Sequence, residues 1–146
     1  MDKLTPERRS ANMSRIRSKN SKPELAVRRL LHRMGYRYRL HVSSMPGHPD
    51  IVFPKRRKVL FVHGCFWHCH KNCSDSHIPK SGISYWATKL ARNVARDYEH
   101  EKELIADGWR VLVLWECEVA DVDHQIPRLR AFLDSATWPN ISRVSR

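Results

Sequence analysis

No apolar run in this chain approaches the roughly 18 to 20 residues that a membrane-spanning helix needs. A helical membrane protein is therefore not expected. Acidic residues are scarce: 15 Asp and Glu stand against 27 Lys and Arg, a net charge of +12. That imbalance attracts polyanions through counterion release, which makes DNA or RNA the evident partner, although charge alone does not choose between them. Internal repeats, low-complexity tracts and linkers are also missing, so the 146 residues read as one domain with one core. The opening stretch, Met1 to Asn20, is charged and lacks the apolar centre of a secretory signal. A cytoplasmic location is the default expectation.

What is present can be placed on elements. Thr5-Pro6-Glu7 reads as a cap and first-turn proline, so a short helix carrying Arg8, Arg9, Arg15 and Arg17 is predicted to start near residue 6. Ser21-Lys22-Pro23-Glu24 opens a second helix, with Leu25, Leu30, Leu31 and Met34 as its apolar stripe and Gly35 at its end. Tyr36 to Val42 alternates and suits a strand, Pro46-Gly47-His48-Pro49 is a turn, and Asp50 to Phe53 is a second strand. After the basic turn Lys55-Arg56-Arg57, the strand Lys58 to His63 is apolar on both faces and belongs in the middle of a sheet. Residues 64 to 82 form an irregular loop. A long helix follows from about Ser84 to Ala106, with Trp86, Leu90, Val94, Tyr98 and Ile105 as its expected buried seam. Trp109 to Trp115 is a further strand, and Ile126, Leu129 and Phe132 mark a last helix. This order predicts an α/β fold with one mixed central sheet and helices on both faces.

Four cysteines are present, and three of them, Cys65, Cys69 and Cys73, crowd into nine residues beside His68, His70 and His77. In a reducing compartment such clustering reads as metal binding before disulfide formation, and thiolates with imidazoles favour tetrahedral zinc. Cys117, just past a predicted core strand, is a distant candidate that would tie the loop to the sheet. There are more candidates than a tetrahedral site can hold. Spacing leaves the choice among Cys69, His68, His77 and Cys117 open.

A second constellation carries chemistry. Pro49-Asp50 places a carboxylate at the head of a core strand. In many nucleases a Pro-Asp pair of this kind is followed on the next strand by an acid-x-lysine set. Here that strand reads Phe61-Val62-His63-Gly64, with neither. A carboxylate with a backbone carbonyl could still hold magnesium, which keeps several of its waters. His63 and His68 could move the protons. The plainer alternative is that Asp50 caps a turn and the histidines serve zinc. Phe66-Trp67, inside the polar loop, could wedge between base pairs or fill the core beneath it.

The string Phe61-Val62-His63-Gly64-Cys65-Phe66-Trp67-His68 is distinctive. Taken with Arg9-Ser10-Ala11-Asn12-Met13, Pro46-Gly47-His48-Pro49-Asp50, Asn93-Val94-Ala95-Arg96-Asp97, and Gly108-Trp109-Arg110-Val111-Leu112 through Trp115-Glu116-Cys117, it resembles the very short patch repair endonucleases from about residue 8 to 118. The resemblance implies a restriction-endonuclease-like fold (the PD-(D/E)XK type) with a structural zinc. It implies nicking on the 5′ side of the thymine in T:G mismatches left by deamination of 5-methylcytosine. It assigns magnesium to Asp50 and the Val62 carbonyl, catalysis to Asp50, His63, His68 and Glu24, and zinc to Cys65, His70, Cys73 and Cys117. Intercalation falls to Phe66, Trp67 and Trp86 from one groove and to Met13 from the other. Residues 1–20 would then be a DNA-contacting helix, 21–138 the endonuclease domain and 139–146 a tail. Double-stranded DNA with a T:G mismatch is the implied substrate of a monomer with no membrane association. A cytosine-5 DNA methyltransferase and mismatch-repair factors are its functional neighbours. Cys69 is an extra thiol outside the family's pattern. Asp97, on the long helix, is placed to orient one imidazole. A double-strand restriction-type endonuclease and a non-enzymatic zinc protein that binds nucleic acid are the rival readings.

Overall fold

The computed structural model describes residues 20–73 and 77–135. The predicted N-terminal helix, with Met13, and the tail from Trp138 lie outside the described residues.

Helix α1 spans Lys22–Arg33 and starts as its sequence dictates. Ser21 Oγ accepts the Glu24 N–H at 3.4 Å, and Pro23 sits in the first turn. Strands β1 (Arg39–Leu40), β2 (Ile51–Phe53), β3 (Lys58–His63) and β4 (Arg110–Trp115) form one sheet in that order. The first two pairings are antiparallel, and β3 runs parallel to β4. Helix α2 (Ile83–Ala106) supplies the long crossover that a parallel pair requires. A 3-10 segment, Val119–Gln125, leads into helix α3 (Ile126–Asp134).

Side-chain alternation gives the sheet two apolar faces. Ile51, Phe53, Leu60, Leu112 and Leu114 pack on Val27, Leu30 and Leu31 of α1 and on Leu129, Phe132 and Leu133 of α3. Val52, Val59, Phe61, Val113 and Trp115 turn the other way, where Leu104 of α2 covers them. Full burial of side chains this size is worth about 1.5–3 kcal/mol each, so both layers are needed. The mixed sheet with helices on both faces is the expected architecture.

The two ends of β3 have different duties. At its start Lys58 is buried, and its Nζ donates to the carbonyls of Phe132 (2.5 Å), Leu133 (3.0 Å) and Ser135 (2.6 Å). The ammonium thereby satisfies the C-terminal carbonyls of α3, which have no partners within the helix. At its finish β3 delivers His63 opposite Trp115 of β4.

Three expectations need correction. The strand expected over Tyr36–Val42 shrinks to two residues, because His41 adopts φ 47° and breaks the extended path. The 3-10 segment after β4 was not foreseen. On α2 the buried residues are Trp86, Leu90, Asn93, Glu101 and Leu104, whereas Val94, Tyr98 and Ile105 are only half-buried. The helix is rotated toward its polar side because the site recruits those polar groups. No helix among the described residues is long and apolar enough to cross a membrane.

Candidate active site and thiolate cluster

A cavity of about 510 Å³ opens at the end of β3, lined among others by His41, Asp50, Val62, His63, His68 and Asp97. The antiparallel β2–β3 pairing puts Asp50 beside the last residues of β3. Its Oδ2 accepts the Val62 N–H at 2.7 Å, so the side chain continues the ladder where the strand has ended. Burial pushes the Asp50 carboxyl up to about 7. The Val62 N–H pulls it back, Glu24 raises it further and His41 lowers it. A carboxyl in this state is short of positive charge.

His63 is buried at the end of β3, and His68 reaches back over it from the loop. Their rings stack 3.7 Å apart at 5°. His68 Nδ1 contacts Asp97 Oδ2 of α2. This fixes the ring and leaves its Nε2 facing away from the carboxylate, as a proton acceptor when the imidazole is neutral. Asn93, one turn earlier on α2, donates to the Trp67 carbonyl at 3.2 Å and receives a hydrogen bond from Arg96, which holds the loop against the helix. Gly47 permits the opposite wall: with φ 75°, it packs where a Cβ would meet His100 Cβ at 3.0 Å.

Glu24 lies on the far side of Asp50. It is 3% exposed, and its carboxylate meets His41 Nε2 at 2.8 Å, Arg28 at 3.3 Å and the Asn20 N–H at 3.3 Å. The predicted residues Glu24, Asp50, Val62, His63 and His68 are thus brought to one place.

Next to this cavity the thiols converge. Cys65, His70, Cys73 and Cys117 each place a ligand atom within 4.8 Å of the others. His70 Nδ1 lies 3.4 Å from Cys117 Sγ and 3.7 Å from Cys65 Sγ. Ligand edges of that length fit a tetrahedron with metal–sulfur and metal–nitrogen bonds of about 2.3 and 2.0 Å. Burial raises the thiol pKa of Cys65 and of Cys117, so a cation there would release protons as thiolates form. Cys69, His68 and His77 stand outside this group. Trp115 joins the two sites: His70 lies flat on its face with centroids 4.2 Å apart, and His63 meets its edge at 5.3 Å.

Trp67 and Trp86 are 6% and 7% exposed and pack with Leu90, with Phe66 half-buried at the margin. In this conformation the two indoles fill an apolar cluster rather than project from the surface. Phe66 is the most accessible of the three aromatics expected to intercalate.

Sequence reading missed His41, Asn93 and Arg96. Asn93 sits one helical turn before Asp97 and three residues before its partner Arg96, a spacing that could have flagged both. Nothing local marks His41, which depends on strand pairing for its place.

The family model for the DNA mismatch endonuclease Vsr matches residues 1–75. A type II nicking enzyme, V.XorIIP of Xanthomonas oryzae pv. oryzae, is 56% identical over 133 residues, which cover 91% of this chain and 97% of that protein. V.NmeAIP of Neisseria meningitidis, also a type II nicking enzyme, is 45% identical over 81% of this chain and 84% of its own length. The DNA mismatch endonuclease Vsr of Escherichia coli is 40% identical over 80% of this chain and 72% of its own length.

Proposed function

Since the chain belongs to the DNA mismatch endonuclease Vsr family, we propose that it is a strand-specific endonuclease that cuts 5′ of the thymine in a T:G mismatch and leaves the other strand whole. Its substrate is DNA in which a 5-methylcytosine has deaminated beside the site of a cytosine-5 methyltransferase, and mismatch-repair factors act downstream. The observation that carries this reading is the convergence of Asp50, His63 and His68 on one cavity, with Asp97 behind His68. A basic DNA-binding module has no use for that arrangement. The names of the nicking relatives support a single-strand cut, which a monomer can make. The sheet, with its Pro-Asp pair heading β2, is read as a restriction-endonuclease-like core.

Asp50 and the Val62 carbonyl are the groups that would hold magnesium, and they fit it: a crowded carboxylate beside a strand-end carbonyl offers oxygen donors only. When bound, the cation supplies charge stabilisation at the scissile phosphate and its leaving oxygen. His68, oriented by Asp97, takes the proton of the attacking water at Nε2. His63, held beneath it by stacking, donates to the phosphate or the departing oxygen. Glu24 sets the position and charge of Asp50 through the space they share. Cys65, His70, Cys73 and Cys117 would hold a structural zinc that braces the loop carrying His68. Phe66 is the leading wedge into the mismatched step, where unstacking costs less than in paired DNA. Trp67 and Trp86 follow only if their cluster opens on DNA.

A T:G duplex labelled separately on each strand, incubated with and without magnesium, tests this. The expected product is one nick, next to the thymine, that needs the cation. Cleavage of both strands in a fully matched duplex would instead make it a restriction-type enzyme. Nicking that survives Asp50→Ala would remove the proposed centre.

A further inference from the structure

His41 lines the cavity beside Asp50, and the proposed chemistry gives it no task. Its placement is nevertheless tightly determined. The chain turns left-handed there, with φ 47°, and the His41 N–H donates to the Asp50 carbonyl at 3.1 Å. That turn throws the imidazole across to α1, where Nε2 reaches Glu24 Oε2 at 2.8 Å. One ligand atom from each of Glu24, His41 and Asp50 lies within 4.8 Å of the other two. Two carboxylates and an imidazole from three separate elements are therefore gathered at one point.

Such a donor set is poorly matched to magnesium alone. Magnesium takes oxygen ligands and gains little from an imidazole. First-row transition cations accept imidazole nitrogen readily, and their affinity for mixed nitrogen and oxygen sites rises along the series from Mn²⁺. We propose that Glu24, His41 and Asp50 together bind a first-row divalent transition cation in preference to magnesium, with His41 Nε2 as the discriminating ligand. The inference rests on the reading of Asp50 as the metal-binding carboxylate of an endonuclease. It adds a nitrogen donor and a selectivity to that centre. On loading, the ring proton resides on Nδ1 and the cation replaces the Nε2–Glu24 hydrogen bond. Arg28 and the Asn20 N–H continue to hold the Glu24 carboxylate.

The test uses Mn²⁺ as the probe on the full chain carrying one equivalent of zinc, read by electron paramagnetic resonance with magnesium as competitor. Wild-type protein is expected to bind Mn²⁺ at least about tenfold more tightly than Mg²⁺ and to show nitrogen-14 modulation of the bound manganese signal. His41→Gln is expected to lose that modulation and most of the margin, and Asp50→Asn to lose the bound signal. Equal affinities for the two cations in wild type, or an unmodulated manganese signal, would overturn the proposal without any variant having to fold. Modulation that persists unchanged in a folded His41→Gln would overturn it as well, since the nitrogen would then come from His63 or His68. A parallel nicking assay on wild type keeps the two readings apart. Failure to nick a T:G duplex with either cation ends the endonuclease reading. Nicking without the manganese preference ends this inference alone.

Discussion

His70 lies flat against Trp115, ring centroids 4.2 Å apart and planes 11° from parallel. The same indole meets His63 edge-on. One aromatic side chain at the end of β4 thus orients a ligand of the thiolate cluster and a histidine of the cavity. Trp115→Ala should weaken retention of the proposed zinc about 10- to 100-fold, the range for losing an outer partner of a metal ligand, and nicking should fall with it. A chromophoric chelator competition and a nicking assay on the same sample check this. Undiminished zinc affinity would mean that the stack does no orienting.

Asp97→Asn should leave T:G duplex binding close to wild type and lower the single-turnover nicking rate by about 10²–10⁴-fold, as expected when a base loses the group that fixes its tautomer. A merely structural carboxylate would lose duplex binding and melting temperature along with the rate. A loss of rate matched by an equal loss of binding and of thermal stability would assign Asp97 to folding alone.

Burial raises the Asp50 carboxyl to about 7 in the folded chain, against an ordinary value of 3.8. The folded state therefore keeps a proton that the unfolded state has released between these values. The stability that proton confers is complete below the unfolded pKa and is lost as pH rises through about 7. Asp50→Asn keeps an acceptor for the Val62 N–H and removes the charge. In buffer free of divalent cations its melting temperature should exceed that of wild type at pH 8, and the two should converge near pH 4. A gap that widens toward acid would contradict this. The variant at the proposed metal-binding carboxylate is expected to be the more stable protein above neutral pH.

Lys58→Met should destabilise the fold without touching the cavity. The three carbonyls that Lys58 serves would be left to water or without a donor, at a cost of about 1–3 kcal/mol. That corresponds to a fall in melting temperature on the order of 5 °C for a domain this size. Thermal melts check the loss. An unchanged melt would show that the methylenes of Lys58, rather than its ammonium, hold the position.

Legibility in the sequence tracked how local the determining physics was. Lys58–His63 was readable to the residue because a strand buried on both faces leaves a continuous apolar run. The start of α1 was readable because its cap is written in adjacent residues. The convergence of Cys65, His70, Cys73 and Cys117 followed from family resemblance, since spacing alone left Cys69, His68 and His77 in contention. The buried seam of α2 was misjudged because hydrophobicity selects Val94 and Tyr98, whereas the helix turns Asn93 and Asp97 inward to serve the Trp67 carbonyl and His68. His41 was invisible for a related reason. Its partner Glu24 lies 17 residues earlier on α1, and the two meet because the left-handed turn after β1 carries the imidazole across to that helix.

Because β3 and β4 run parallel, both strands arrive at the candidate site from the same direction and leave their starting points together on the opposite rim. The exposed bend at Lys55–Arg56 belongs to that rim, some 20 Å from His63 by the rise of a six-residue strand. A dye, tether or short peptide grafted there would ride on the enzyme without entering its working end. The bend is a natural handle for watching a single molecule search DNA.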